Sequence, residues 1–207
     1  TIGYVRMFEW NSTTRAWDRM GDDLGSPYEY FGGSVSLSAD GARLAIGARG
    51  LTWDRSAGHV RVLEWNSTTS QWDAMGPDLV GEAVNDEFGF AVSLSADGGR
   101  LVVGAPRSNN YVGQVRVYKW NRAHWDSGTA WELMGAAVPG EGTRSGCAEG
   151  GRFGASVSVS DYEGWGDGGR FVAGAPFYDG GSGACERNGR VRVFEWTGGA
   201  WVLMGAP

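Results

Sequence analysis

The chain has 207 residues, 42% of them hydrophobic and 20% charged, with a formal net charge of −6, enough apolar material for one sizeable core. No run of basic residues stands ready to neutralise phosphates, which argues against nucleic-acid binding, and no apolar run is long enough to cross a bilayer. The 36 glycines and 11 tryptophans are the unusual counts, and they fall at recurring positions instead of in low-complexity tracts.

Two motifs alternate along the sequence. G-x-V-R-V-x-x-W followed by W-x-x-M-G begins at Gly3, Gly58, Gly113 and Gly189, with Met7 replacing the second valine in the first copy. F-G-x-x-V-S-(L/V)-S followed by a turn and G-A begins at Phe31, Phe88 and Phe153. A fixed period of this length means stacked copies of one supersecondary unit.

Residues 3–24 carry the first motif alone and read as two strands, half of a unit. Asn11-Ser12-Thr13, between those strands, is an N-x-S/T glycosylation acceptor. Residues 30–79 make the first complete unit. Trp53-Asp54 falls in a loop, His59 at the start of a strand where its varied counterparts (Tyr4, Gln114, Arg190) suggest an edge position, and Asn66-Ser67-Thr68 repeats the acceptor. Residues 87–136 show the strands most plainly. Val92 and Leu94 alternate with Ser93 and Ser95, a period of two. Ala96–Gly99 is a glycine turn, Leu101–Val103 runs back, Val115–Tyr118 is β-branched and aromatic, and Trp131–Met134 closes the unit. These are strands A, B, C and D. Asn110-Tyr111 lies in the B–C loop, and Asn121-Arg122-Ala123 keeps the asparagine of the earlier copies without the acceptor pattern. Residues 152–205 form the last unit, with the longest loops and with Tyr178-Asp179 after strand B. Its A–B connection, Asp161–Asp167, holds three acids at irregular spacing and reads as a solvated hairpin, not an ion site. Cys147 precedes strand A and Cys185 follows strand B, in connections that share one face. They either bridge or stay as two thiols, and the bridge is the expectation.

Four short antiparallel strands per roughly 50 residues is the arithmetic of a β-propeller blade. The expected fold is all-β: a single propeller segment over 1–207 with about three and a half four-stranded blades, part of a ring of about six to eight. Small residues on strand A place it innermost, and the paired tryptophans of strands C and D close the outer edge as core. Arg6, Arg61, Arg116 and Arg192 are expected to lay their stems between blades and pair their heads with acids.

Phe88-Gly89 with Gly104-Ala105-Pro106, and Phe153-Gly154 with Gly174-Ala175-Pro176, resemble the FG-GAP repeat, which builds the propeller of integrin α subunits and many extracellular proteins. The resemblance spans essentially the whole chain and implies fold far more than function. The first copy departs from it, with Gly47-Ala48-Arg49 lacking the proline. The calcium loops common in that family are also missing: Ser38-Ala39-Asp40-Gly41 and Ser95-Ala96-Asp97-Gly98 offer one carboxylate each where calcium wants six to eight oxygens.

The order CD, AB-CD, AB-CD, AB-CD does not close a ring, and two chains joined head to tail would lack A and B strands at each join. Further sequence beyond this segment, the chain starting at Thr1 without methionine, or a covering partner is expected to complete it. His59 and His124 have no fixed partners, and no nucleophile elbow, metal triad or phosphate loop is present. The adjacent acids Asp86-Glu87 are poorly spaced for glycoside chemistry. The expectation is a non-enzymatic extracellular adhesion, recognition or assembly module, without cofactor or metal, presenting its loops to a protein or glycan. Trp53, Asp54, Asn110, Tyr111, Tyr178 and Asp179 are the candidate contacts. A carbohydrate-binding propeller is the first alternative and a polysaccharide hydrolase the second.

Overall fold

The computed structural model describes residues 3–26, 30–50, 56–127, 130–141, 150–160, 169–179 and 187–205. The half unit comprises β1 (Gly3–Val5), β2 (Phe8–Asn11), β3 (Ala16–Arg19) and β4 (Leu24–Ser26). The first complete sheet runs β5 (Phe31–Leu37), β6 (Arg43–Ala48), β7 (His59–Asn66) and β8 (Gln71–Ala74), with β9 (Leu79–Val80) pairing back onto β7. The second follows as β10 (Ala91–Leu94), β11 (Arg100–Ala105), β12 (Gln114–Trp120) and β13 (Trp131–Leu133), with β14 (Val138–Pro139) on β12. The third is β15 (Ser156–Ser160), β16 (Arg170–Ala175), β17 (Arg190–Trp196) and β18 (Trp201–Leu203). Each complete sheet is antiparallel in simple sequence order. Successive A strands, β5, β10 and β15, pack against one another. The sheets therefore converge on strand A and fan outward to strand D, as the blades of a β-propeller do.

The core lies between blades. One apolar cluster joins Met7 and Met20 of the half blade to Phe31, Leu44, Ile46 and Trp72 of the first blade. A second joins Val60, Val62 and Met75 to Phe88, Leu101, Tyr118 and Trp131, and a third joins Val115, Val117 and Met134 to Phe153, Phe171 and Phe194. Every blade thus has a back face, bearing the valines of strand C and the methionine after strand D, that receives the front face of the next. Burial on both faces explains why strand C carries apolar residues at successive positions.

Close approach at these junctions dictates the glycines. A Cβ built on Gly47 would strike the carbonyl oxygen of Gly89, and one on Gly104 that of Gly154. Gly89 and Gly154 themselves sit at φ of 84° and 90°, where a side chain would be strained. Polar bonds cross the same gap: Leu94 N donates to Ser36 Oγ at 2.9 Å and Val159 N to Ser93 Oγ at 3.1 Å. At the rim, the strand-D tryptophan of each complete blade donates its indole N–H to the methionine carbonyl of the unit before it. Trp72 reaches Met20 at 3.3 Å, Trp131 reaches Met75 at 2.9 Å and Trp201 reaches Met134 at 2.8 Å. Its partner across the sheet is the strand-C tryptophan, with ring centroids 5.1–5.4 Å apart in all four pairs. The recurring arginines pair their heads with acids as expected, although the Arg6 side chain is 46% exposed and not held between blades. Arg6 grips Asp23 and Arg61 grips Asp78 through two bonds each, Arg116 meets Glu82, and Arg192 meets Glu141 at 3.1 Å.

Two expectations need correction. The tryptophans are core only where a blade stands in front: Trp131 is 7% exposed, but Trp17 of the half blade is 65% exposed, and Trp10 lies open beside it. Among the described residues the half blade has no B strand, and its strand C is interrupted at Arg6-Met7, giving β1 and β2. His59 is not at an edge. It is buried, with its backbone paired between Ala48 of strand B and Val80 of β9, the short strand that motif reading did not anticipate.

Replacing Trp131 with phenylalanine keeps the ring but strips the donor from the Met75 carbonyl. Loss of that buried bond should cost about 1–3 kcal/mol in urea denaturation, whereas Trp17→Phe, with no such bond to lose, should leave the midpoint where it was.

Candidate functional site

The B–C loops and the D–A connections share one face, and there the inner ends of the blades carry arginines stacked on aromatic rings. The residue before each Phe-Gly and the residue following each Gly-Ala or Gly-Ala-Pro meet as a pair. In the first blade the Arg49 guanidinium lies 4.7 Å from the Tyr30 ring centre and 5.1 Å from that of Phe90 in the next blade. In the second the pair is ionic, with Arg107 Nε 3.4 Å from a buried Glu87 carboxylate. In the third the two are exchanged: Arg152 stands before the Phe-Gly and lies 4.8 Å from the Phe177 ring. Tyr30, Glu87 and Arg152 all adopt positive φ, between 55° and 57°, an uncommon conformation for residues with side chains.

The pairs of the last two blades join into one run. Arg107 and Arg152 both lie 5.6 Å from the Tyr111 ring, Arg152 continues to Phe177, and Arg187 covers Phe177 at 5.1 Å. Backbone geometry holds it in place, because Arg152 N donates to the Tyr111 carbonyl at 2.9 Å and Phe153 N to that of Val112 at 3.0 Å. Tyr111 ends the short helical turn Ser108–Tyr111, in which Asn109 and Asn110 are left-handed and exposed. Guanidinium groups gathered over rings concentrate positive charge at this surface, which suits an approaching carboxylate.

Of the candidate contacts, Tyr111 belongs to this run and Asn110 is exposed next to it. Tyr178 is partly buried on the third apolar cluster, and its hydroxyl accepts from Arg190 at 3.1 Å, while Asp179 follows it, also partly buried. Trp53, Asp54, Cys147 and Cys185 lie outside the described residues. Sequence reading missed Arg49, Arg107, Arg152 and Arg187. The signal available was that the places flanking Phe-Gly and Gly-Ala vary in charge while the motifs around them are copied.

The opposite face is occupied by local structure. Asn11 accepts from the backbone N–H groups of Thr13 and Thr14 and donates to Asp18 at 2.7 Å. Asn66 repeats this with Thr68, Thr69 and Asp73, and Asn121, which has no acceptor pattern, still bonds Ala123 N and Glu132. The asparagine recurs as a hairpin cap, whether or not a hydroxyl residue follows two places on. The single carboxylates of the A–B turns are likewise engaged. Asp40 accepts from Ser38 Oγ at 2.5 Å and Ala42 N at 2.9 Å, and Asp97 accepts from Ser95 Oγ at 2.6 Å and Gly99 N at 2.8 Å.

No family model and no curated protein matches the sequence. Among solved structures, the chain is similar to hydrazine synthase of Kuenenia stuttgartiensis, at 13% identity over 82% of this chain and 47% of that one, with a TM-score of 0.44. It is similar also to the β-propeller domain of the Trilobed protease from Pyrococcus furiosus, at 10% identity over 99% of this chain and 54% of that one, with a TM-score of 0.43. The chain spans about half the length of these structures.

Asp86, in the connection leading to the second blade, titrates above the ordinary carboxylate range because burial penalises its charge. A raised folded value means that its contribution to stability is full at low pH and declines as pH rises through that value. Asp86→Asn should therefore raise the urea midpoint at neutral pH and leave it unchanged in acid.

Proposed function

We propose that this chain is a non-enzymatic recognition and assembly module whose B–C and D–A face docks a protein surface bearing carboxylates. The observation that carries the proposal is the continuous run of Arg107, Tyr111, Arg152, Phe177 and Arg187. Arginine and tyrosine held rigid by packing lose little freedom on contact, and they dominate interface energetics. A protein partner is favoured over a sugar because guanidinium groups already lie over the Tyr111 and Phe177 rings that a pyranose would stack on. Burial of Glu87 against Arg107 favours a structural part for that acid over glycoside chemistry. The proposal takes the repeats as FG-GAP-like on their Phe-Gly and Gly-Ala motifs. Its extracellular setting is argued from the acceptor patterns at Asn11 and Asn66 and from the bridge expected between Cys147 and Cys185.

Although the whole chain is acidic, it should be retained on immobilised poly-glutamate at low salt, and Arg152→Ser should weaken that retention. Arg170→Ser, which removes a guanidinium at the A–B end of its blade, on the opposite face, should not. Equal retention of all three proteins would refute the docking face. Intact-mass measurement of the native chain should find hexose additions on Asn11 and Asn66 and a mass two hydrogens below that of the dithiol, while an unmodified, fully reduced chain would contradict the extracellular setting.

A further inference from the structure

The junction between the second and third blades holds a cleft of about 520 Å³, a size that suits a small molecule. One wall is the D–A connection of the second blade, residues 136–141, and the other is formed by Arg192, Phe194, Trp201 and Leu203 of the third. The two walls face each other across an interior junction, with a described blade on either side. Sequence accounts for the opening. Pro77 and Leu79 of the preceding D–A connection are replaced here by the smaller Ala136 and Val138, and Tyr118 by Phe194. The C–D hairpin, residues 121–130 in the second blade, shortens to residues 197–200, where a Cβ built on Gly199 would meet nothing. Trp201 still donates to the Met134 carbonyl at 2.8 Å, yet it is only partly buried, whereas Trp72 and Trp131 are 8% and 7% exposed. Ala200 is exposed where its counterpart Ala130 is completely buried.

Arg192 brings a charge to this apolar cleft. Its guanidinium lies 5.1 Å from the Phe153 ring centre and 4.8 Å from that of Phe194. Its polar partners are the Pro139 carbonyl at 3.1 Å and one Glu141 oxygen at 3.1 Å. The other Glu141 oxygen is taken by Arg190 at 2.5 Å. One carboxylate thus serves two guanidiniums. In the second blade the counterpart Arg116 has a further partner in the Tyr118 hydroxyl, which Phe194 lacks. Burial holds Arg192 below the ordinary arginine value, opposed by Glu141 and reinforced by Arg190.

We propose that this cleft binds a small carboxylic acid with an aromatic body, its carboxylate on the Arg192 guanidinium and its ring against Val138, Trp201 and Leu203. The carboxylate supplies the second counter-charge that Arg190 and Arg192 lack, and walls that exclude water strengthen the pairing. An uncharged analogue of the same shape gains the apolar contact alone. None of Arg107, Tyr111, Arg152, Phe177 and Arg187 lines the cleft, so this site and the docking face stand or fall separately.

Isothermal titration calorimetry of the full chain with hydrocinnamate and with indoleacetate tests this inference, with circular dichroism to confirm that each variant is folded. The expected result is saturable one-to-one binding of at least one acid. Binding should weaken about tenfold or more when the acid is replaced by its primary amide, and likewise in Arg192→Gln. Ala136→Leu, which fills the cleft and leaves every polar group of the site in place, should abolish it. Should Arg192→Gln fail to fold, the amide comparison and Ala136→Leu decide alone. No binding of either acid at millimolar concentration overturns the inference, and so does equal binding of acid and amide. Binding that survives Ala136→Leu unchanged places the acid elsewhere and overturns it as well.

Discussion

Between neighbouring blades the α-carbon of a strand-B glycine lies against the carbonyl of the next blade's Phe-Gly, and at the rim a tryptophan N–H closes on a methionine carbonyl. Contact this close between backbones leaves no room for water. The apolar faces on either side are accordingly buried together, and the three core clusters all straddle junctions. A four-stranded sheet of this kind has too little apolar surface to stand alone. Its stability depends on having a neighbour on each side, which makes the fold a nearest-neighbour system along the chain. Among the described residues the half blade is covered on one side only and has no B strand, which makes it the least protected sheet of the series.

The same constraint separates structure from recognition. Residues at the junctions are copied from unit to unit because any change in their size would be felt across the gap. The places before Phe-Gly and after Gly-Ala point toward the B–C and D–A face instead, and they vary: tyrosine with arginine, glutamate with arginine, arginine with phenylalanine. Each combination satisfies one rule, a cation held against a ring or a carboxylate, while changing what the surface offers a partner. A scaffold that fixes backbone positions but not these side chains can alter its specificity without altering its fold.

Strand order, the inner position of strand A and the pairing of the four arginines were legible because each follows from spacing within a unit. Val92 and Leu94 alternate with serines, and the serines at Ser36 and Ser93 prove to be the ones that bond across the gap. What stayed hidden depends on contacts between units or on the ends of the series. Nothing in the local sequence of Trp17 distinguishes it from Trp131; they differ in that, among the described residues, no blade stands in front of Trp17. The stacking of Arg152 on Tyr111 joins a D–A connection to the B–C loop of the previous blade, and no period within one unit encodes it. Asn66 reads as a glycosylation acceptor in isolation, whereas its bonds to Thr68 N and Asp73 make sense only once the hairpin is formed.

Native-state hydrogen exchange resolved by residue tests the junction account most directly. It predicts the slowest exchange in the B strands β6 and β11 and at Leu94 and Val159, whose amides bond across a junction, with β2 and β3 opening far sooner than any strand that has blades on both sides. Equal protection of the half blade and the interior blades would contradict it, because stability would then reside within each sheet and not between them.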